Sequence, residues 1–459
     1  MNSPKSLLME AAASSDIFLR TGTVSGTVGE MAIATGINLR PRELAYISGH
    51  SGRPLAAECV RMVGSNAYLT MLDRGSFAIG GRVEAAGMLA SAPVGPMLLG
   101  RVLDGIGRPL DEGGPLMSVR RVPVHAEPPS PLDREPISLP MTTGVRAIDG
   151  FLMLGRGQRV GIFAGSGVGK STLLGMLARG TKADVTVIGL IGERGREVRD
   201  FIEHDLGREA MANCVIVAST GDNPAAMRIA AANTATAIAE AFRADGGDVL
   251  LLFDSLTRVA MAQREIGLSA GEPPTTKGYP PSVFSLLPHL MERTGPAKHG
   301  SITAIYTVLV DGEDMDEPIA DLARATLDGH IVLKRSLASA GHYPPIDILG
   351  SVSRLMSRVA EAPHQEAARR MRLLMAAYED ARDLISIGAY VRGADPDVDE
   401  AVALWPSLNV FLRQNANEST DPGQAISVLE RLASLETANT EEYADAIDST
   451  AVEAPGALS

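Results

Sequence analysis

Residues 159–172 read RVGIFAGSGVGKST, an apolar run that breaks into glycines and closes on a lysine and two hydroxyl residues. The first part, rich in Val160, Ile162 and Phe163, shows little alternation, as expected of a strand buried on both faces. Ala164, Gly165, Ser166, Gly167, Val168, Gly169, Lys170 and Ser171 then fill an eight-residue phosphate-binding pattern, and STLLGMLARG continues as a helix. The glycines allow a tight backbone path in which successive N–H groups face phosphate oxygens at a helix N-terminus. In that cradle Lys170 neutralises β/γ-phosphate charge, Ser171 ligates Mg²⁺ and Thr172 reaches the α-phosphate. Ala164 stands where the strict pattern has glycine, and it is small enough to serve. ATP and Mg²⁺ are the expected ligands.

Outward from this loop the same alternation repeats. DVTVIGLIG precedes REVRDFIEHDLG, NCVIVAS precedes a long alanine-rich helical stretch, and DVLLLFDS precedes LTRVAMAQREIG. Apolar strands each followed by a helix of ten or more residues predict an α/β core with a parallel sheet covered on both faces. Leu250, Leu251, Leu252 and Phe253 deliver Asp254 to the end of its strand, where a metal-holding carboxylate is needed; Ser255 is the expected helix cap. VIGLIGERGREV ends its strand in Glu193, the candidate general base for water, with Arg194 beside it as a candidate γ-phosphate contact.

The flanks read differently. Residues 1–18 carry Leu7, Leu8, Ala11 and Ala12 at helical spacing, an amphipathic N-terminal extension. Residues 19–90 hold short β-type runs such as TGTVSGTV and NAYLTML, punctuated by turn residues, and predict a small β-barrel or sandwich. The proline-dense stretch 111–140 predicts an extended connector. It lies within the nucleotide domain, which extends over residues 91–350. A C-terminal helical domain follows over 351–436, where Met371, Leu374, Tyr378, Ala381 and Ile385 step by three or four, and a small, acidic flexible tail occupies 437–459.

The whole chain has 459 residues, 45% hydrophobic and 21% charged, which excludes wholesale disorder and a membrane bundle. A net charge of -13 disfavours broad contact with nucleic acid or anionic lipid. Two cysteines, Cys59 and Cys214, offer no disulfide framework and suit two buried thiols in a reducing compartment. No window approaches a membrane span, and Glu10 and Asp16 interrupt any signal-peptide core, so a cytoplasmic location is expected.

FAGSGVGKST, GLIGERGREVRDF, DSLTRVAMAQREIGLSAGEPPTTKGYPPSVF, DEPIADLARATLDGHIVL and GHYPPIDILGSVSR together resemble the ATPase family that includes the catalytic β subunit of F-type ATP synthase. Within it they are most similar to the ATPases of flagellar and virulence type III protein export. RDLISIGAYVRGADPDVDEAVALWPSLNVFLRQ resembles the flagellar branch more. The resemblance spans about residues 20–435. It implies a P-loop NTPase core of RecA-like, F1-type architecture between an N-terminal barrel and a C-terminal helical domain.

It further implies Arg354 as an arginine finger that reaches a neighbouring subunit's site, Tyr343 as the aromatic on which adenine stacks, and residues 271–281, GEPPTTKGYPP, as a loop facing a ring's central opening. Because one chain carries both Glu193 and Arg354, a homohexamer can complete a site at every interface. The implied partners are a stator-like regulatory export protein at the N-terminal helix and a central-stalk export protein in the ring opening. The export gate and substrate–chaperone complexes are also implied, at the inner face of the export apparatus, with no nucleic acid. The alternatives are a virulence secretion ATPase, a ring RNA translocase and a non-catalytic nucleotide-binding scaffold. A translocase would want clustered aromatics in the β-rich segment, where Phe18, Tyr46, Tyr68 and Phe77 are scattered. The scaffold is disfavoured by Lys170, Glu193 and Asp254 occurring together.

Overall fold

This computed structural model describes residues 19–434 except 311 and 313, so the expected N-terminal helix and the tail 437–459 lie outside the described residues. β1 (Thr21–Val28), β2 (Met31–Thr35), β3 (Glu43–Ser48), β4 (Pro54–Val63), β5 (Asn66–Met71) and β6 (Arg82–Leu89) close into an antiparallel barrel in the order β1-β2-β5-β4-β3-β6. Alternate positions face inward, and the interior is filled by small residues (Ala32, Ala34, Ala57, Ala67) around Ile47 and Leu69. Pairing of β1 with β6 leaves no free edge. Of the two shapes the sequence allowed for this segment, the barrel is the one formed.

The connector 111–140 is mostly extended, with one short strand inside it. β7 (Ser91–Val94) pairs with β9 (Arg120–Pro123), and between them β8 (Arg101–Leu103) runs out to join the large sheet. Pro123 sits at the terminus of its strand, where its missing donor removes no interior ladder bond. Next, β10 (Pro140–Met141) and β11 (Leu154–Gly155) pair on either side of the helix Arg146–Phe151.

The large sheet uses β12 (Arg159–Ala164), β13 (Val185–Ile191), β14 (Cys214–Ser219), β15 (Asp248–Asp254), β16 (Gly295–Pro296), β17 (Ser301–Leu309), β18 (Gly329–Leu333) and β19 (Ile346–Ser353). Its order is β19-β18-β12-β17-β15-β13-β14-β8, with the short β16 off this path against β17. The strands from β18 through to β8 pair in parallel. Both faces are buried: on β15, Val249, Leu251 and Phe253 enter one core while Leu250 and Leu252 enter the other. That is why these strands read as continuous apolar runs. The parallel core matches expectation; β19 runs antiparallel to β18, with Ser353 opposite Gly329.

This topology places the loops. In a parallel sheet every C-terminal strand end opens on one edge, so the turns after β12, β13 and β15 converge there. β19 runs the other way and delivers its last residue to the opposite edge. The helices Ala362–Ser386, Pro396–Leu412 and Pro422–Ser434 form the C-terminal layer, in which Tyr378 stacks on Trp405 at 3.8 Å and 8°. Met371, Leu374 and Ala381 are buried, as their spacing predicts.

Candidate active site

Between β12 and the helix Lys170–Gly180 the chain turns through Gly167 at φ 74° and Gly169 at φ 103°, conformations that side-chain-bearing residues rarely adopt. Val168 between them is buried in the core and anchors the loop, so only its backbone can face a phosphate. Ser166, Gly167, Ser171 and Thr172 are exposed along the cradle. The Arg335 guanidinium donates to the Ser166 carbonyl at 3.0 Å and braces the loop from outside.

Lys170 links the two carboxylates predicted for this site. Its Nζ lies 3.3 Å from Glu193 Oε1 and hydrogen-bonds Asp254 Oδ1. The three side chains are 11%, 13% and 4% exposed, so the cluster is almost dry. Burial pulls the Lys170 pKa down, but the facing Asp254 and Glu193 carboxylates outweigh it and hold the ammonium above the ordinary lysine range. Burial pushes the Glu193 carboxyl up to about 7; Lys170 opposes the shift and Asp254 adds to it. The Glu193 backbone is fixed as well, since its carbonyl accepts the Gly221 N–H at 3.0 Å.

Asp254 ends β15 on the strand beside β17, and Thr307 of β17 donates its hydroxyl to Asp254 Oδ1 at 2.6 Å. Thr307 was not singled out from sequence: within SITAIYTVL it is one β-branched residue among many. Ser255 caps the following helix as expected, accepting the Arg258 N–H at 3.3 Å.

Arg194 does not join this cluster; its side chain is 85% exposed and pairs with Glu197 at 3.3 Å. Tyr343 is half exposed, its ring edge 3.8 Å from where a Cβ on Gly169 would stand, which brings an aromatic ring beside the end of the phosphate loop where the helix begins. Arg354 is elsewhere. It follows the last residue of β19, donates its backbone N–H to the Asp328 carbonyl at 3.1 Å and its guanidinium to the Arg324 carbonyl at 3.0 Å, and is exposed. It therefore lies at the edge of the sheet opposite its own Lys170. At about 3.3 Å per residue, β12 alone sets roughly 17 Å between those edges.

The ATP synthase alpha/beta family, nucleotide-binding domain, matches residues 144–353, and the T3SS EscN ATPase C-terminal domain matches residues 360–431. The flagellum-specific ATP synthase of Bacillus subtilis is 50% identical over 434 residues, covering 94% of this chain and 99% of that one. The chain belongs to the family of flagellar and type III secretion ATPases. It is an ATP hydrolase. The type 3 secretion system ATPase of Xanthomonas euvesicatoria is 46% identical over 427 residues, 92% of this chain and 95% of that one. Among solved structures, the assembled ATPase EscN from enteropathogenic E. coli superposes with a TM-score of 0.85 at 43% identity, over 90% of this chain and all of that one. EscN in complex with its central stalk EscO gives 0.83 at 43% identity over the same shares. Among the described residues of this ATPase, no helix is long and apolar enough to cross a membrane. Cys59 and Cys214 are both buried free thiols, pushed up to about 11 and about 12 first of all by burial.

Proposed function

We propose that this ATPase serves flagellar type III protein export, at the inner face of the export apparatus, as a homohexameric ring whose sites are shared between neighbouring copies. The observation that carries the shared site is the placement of Arg354 at the far edge of the sheet from its own Lys170, Glu193 and Asp254. A finger that cannot serve its own subunit is available to the next one.

Within a site, the loop 164–171 and Lys170 hold the phosphates, Thr172 faces the α-phosphate and adenine stacks on Tyr343. Glu193 in its ionised form takes a proton from the attacking water, while Arg354 of the neighbouring copy stabilises charge on the transferring phosphoryl group. Arg194, exposed beside Glu193, closes on the γ-phosphate. A hydroxyl from Ser171 and a carboxylate from Asp254 are hard oxygen donors that would hold Mg²⁺. Among the described residues no larger acidic or histidine cluster offers a dedicated metal cage. Bound there, Mg²⁺ would supply charge neutralisation on the phosphates.

The loop 271–281, exposed over residues 273–277, receives a central-stalk protein, residues 1–18 bind a stator-like regulator, and the ring meets the export gate and substrate–chaperone complexes. The test is a pull-down from the native cell with ATPase assay of the eluate. Flagellar export components are the expected company; virulence secretion components, or ATPase activity stimulated by RNA, would overturn the assignment.

A further inference from the structure

Gln158, immediately before β12, is fully buried and uses every hydrogen-bonding group it has. Its Oε1 accepts the Gly155 N–H at 2.8 Å. Its Nε2 donates to the Asp328 carbonyl at 3.0 Å and to Ser353 Oγ at 3.2 Å. Its own N–H reaches the Gly155 carbonyl at 3.0 Å, and its carbonyl accepts the Ala304 N–H at 3.0 Å. A buried amide with all partners in place is costly to assemble and specifies one arrangement of the segments it joins.

Those segments meet at Arg354. The Asp328 carbonyl that receives Gln158 is the same one that receives the Arg354 N–H. Ser353, the other target, is the preceding residue, and its hydroxyl passes on to the Met153 carbonyl at 2.9 Å. Asp328 is fixed from a second side. Its carboxylate accepts the Arg159 N–H and Nε at 3.1 Å each, and Arg159 in turn pairs with Glu292 at 2.6 Å. The far end of the Arg354 side chain rests on the Arg324 carbonyl, so the guanidinium is exposed while its root is clamped.

We infer that Gln158 is a positioning residue for Arg354: its amide sets the place from which the arginine enters the neighbouring subunit's site. This rests on the shared-site reading above. An arginine finger acts by geometry, and a misplacement near 1 Å costs up to about a hundredfold in rate. Gln158 touches neither the phosphate loop nor Tyr343, so its loss acts on turnover in the adjacent site and not on nucleotide binding in its own.

The experiment mixes full-length subunits into rings and follows ATP turnover. Gln158→Leu alone is expected to lower kcat about tenfold or more with KM for ATP within about twofold. Mixed with Glu193→Gln subunits, which lend an intact finger to an intact glutamate, Gln158→Leu rings regain activity; mixed with Arg354→Ala subunits they do not. Recovery with Arg354→Ala, no recovery with Glu193→Gln, or wild-type kcat in a folded Gln158→Leu ring overturns the inference. Ser353→Ala removes one contact of the clamp and carries the same test should Gln158→Leu fail to assemble: the same complementation pattern with a smaller kcat loss is expected, and wild-type turnover overturns it. A separate control mixes Arg354→Ala with Glu193→Gln. If these two fail to complement, the shared site itself falls and the inference with it; if they succeed, any failure above belongs to Gln158 alone.

Discussion

Lys170 stands between two carboxylates in a nearly dry site, and on the proposed reading each of the three groups has a separable task. Lys170→Ala removes the only ammonium facing Glu193 and Asp254 among the described residues, so it should abolish turnover and weaken nucleotide binding together. Glu193→Gln should abolish turnover with nucleotide affinity retained, because amide and carboxylate occupy the same space and only the base is lost; fluorescent-nucleotide titration beside a phosphate-release assay separates the two. The acid limb of the pH profile follows from Glu193. Its folded pKa is raised to about 7 and the base acts ionised, so kcat/KM should fall as pH drops through about 7. A profile flat down to about pH 5.5 would contradict the assigned role. Thr307→Val keeps volume and deletes the hydroxyl that orients Asp254, which should cost about 1–2 kcal/mol in transition-state stabilisation, read as roughly tenfold in kcat/KM. At this scale the sequence was readable where residue types are rare in their setting: a lysine after three glycines, an aspartate after four apolar residues. Thr307 and Gln158 were not, since a threonine in a strand and a glutamine before one are ordinary until the fold brings Asp254 and Ser353 to them.

Each functional group is carried by the end of an element, and the direction of that element decides what it can reach. β12, β13 and β15 run in parallel and bring Lys170, Glu193 and Asp254 to one edge; β19 runs back and takes Arg354 to the other. Unbroken apolar runs announced the parallel strands. The reversal in β19 had no comparable signal, because an edge strand such as IDILGSVS has one partner and a mixed pattern of burial. The segment 111–140 is largely extended and irregular, as its prolines imply; the short strand β9 inside it was not legible, because proline density reports a missing donor and a two-stranded pairing such as β7 with β9 tolerates that at a strand end. The apolar stripe read in 1–18, from Leu7 to Ala12, is too short for a helix that stands alone, since helices below about 12–15 residues are marginal in water. Deleting residues 2–18 should leave basal ATP hydrolysis nearly intact and weaken co-purification with the stator-like regulator. Full regulator binding by the deleted chain would contradict that role, and loss of the folded ATPase would place the segment in the core.

Over the whole molecule, a barrel without free edges, a sheet buried on both faces and a helical layer hold Lys170, Glu193 and Asp254 at one edge of the large sheet and Arg354 at the other. On the proposed reading, such a chain completes its site only beside a copy of itself. Flagellar and virulence relatives share this architecture at similar identity, which is why the branch is decided by the company the protein keeps in the cell and not by its fold. The shared site is the central claim, and it has a direct measurement. Arg354→Ala and Glu193→Gln subunits, each inactive alone, are mixed in equal amounts, assembled, and assayed for phosphate release. With random placement about one interface in four joins an intact Glu193 to an intact Arg354, so activity near a quarter of wild type is expected if interfaces act independently. Rings verified to contain both subunits that remain as inactive as either parent would contradict it.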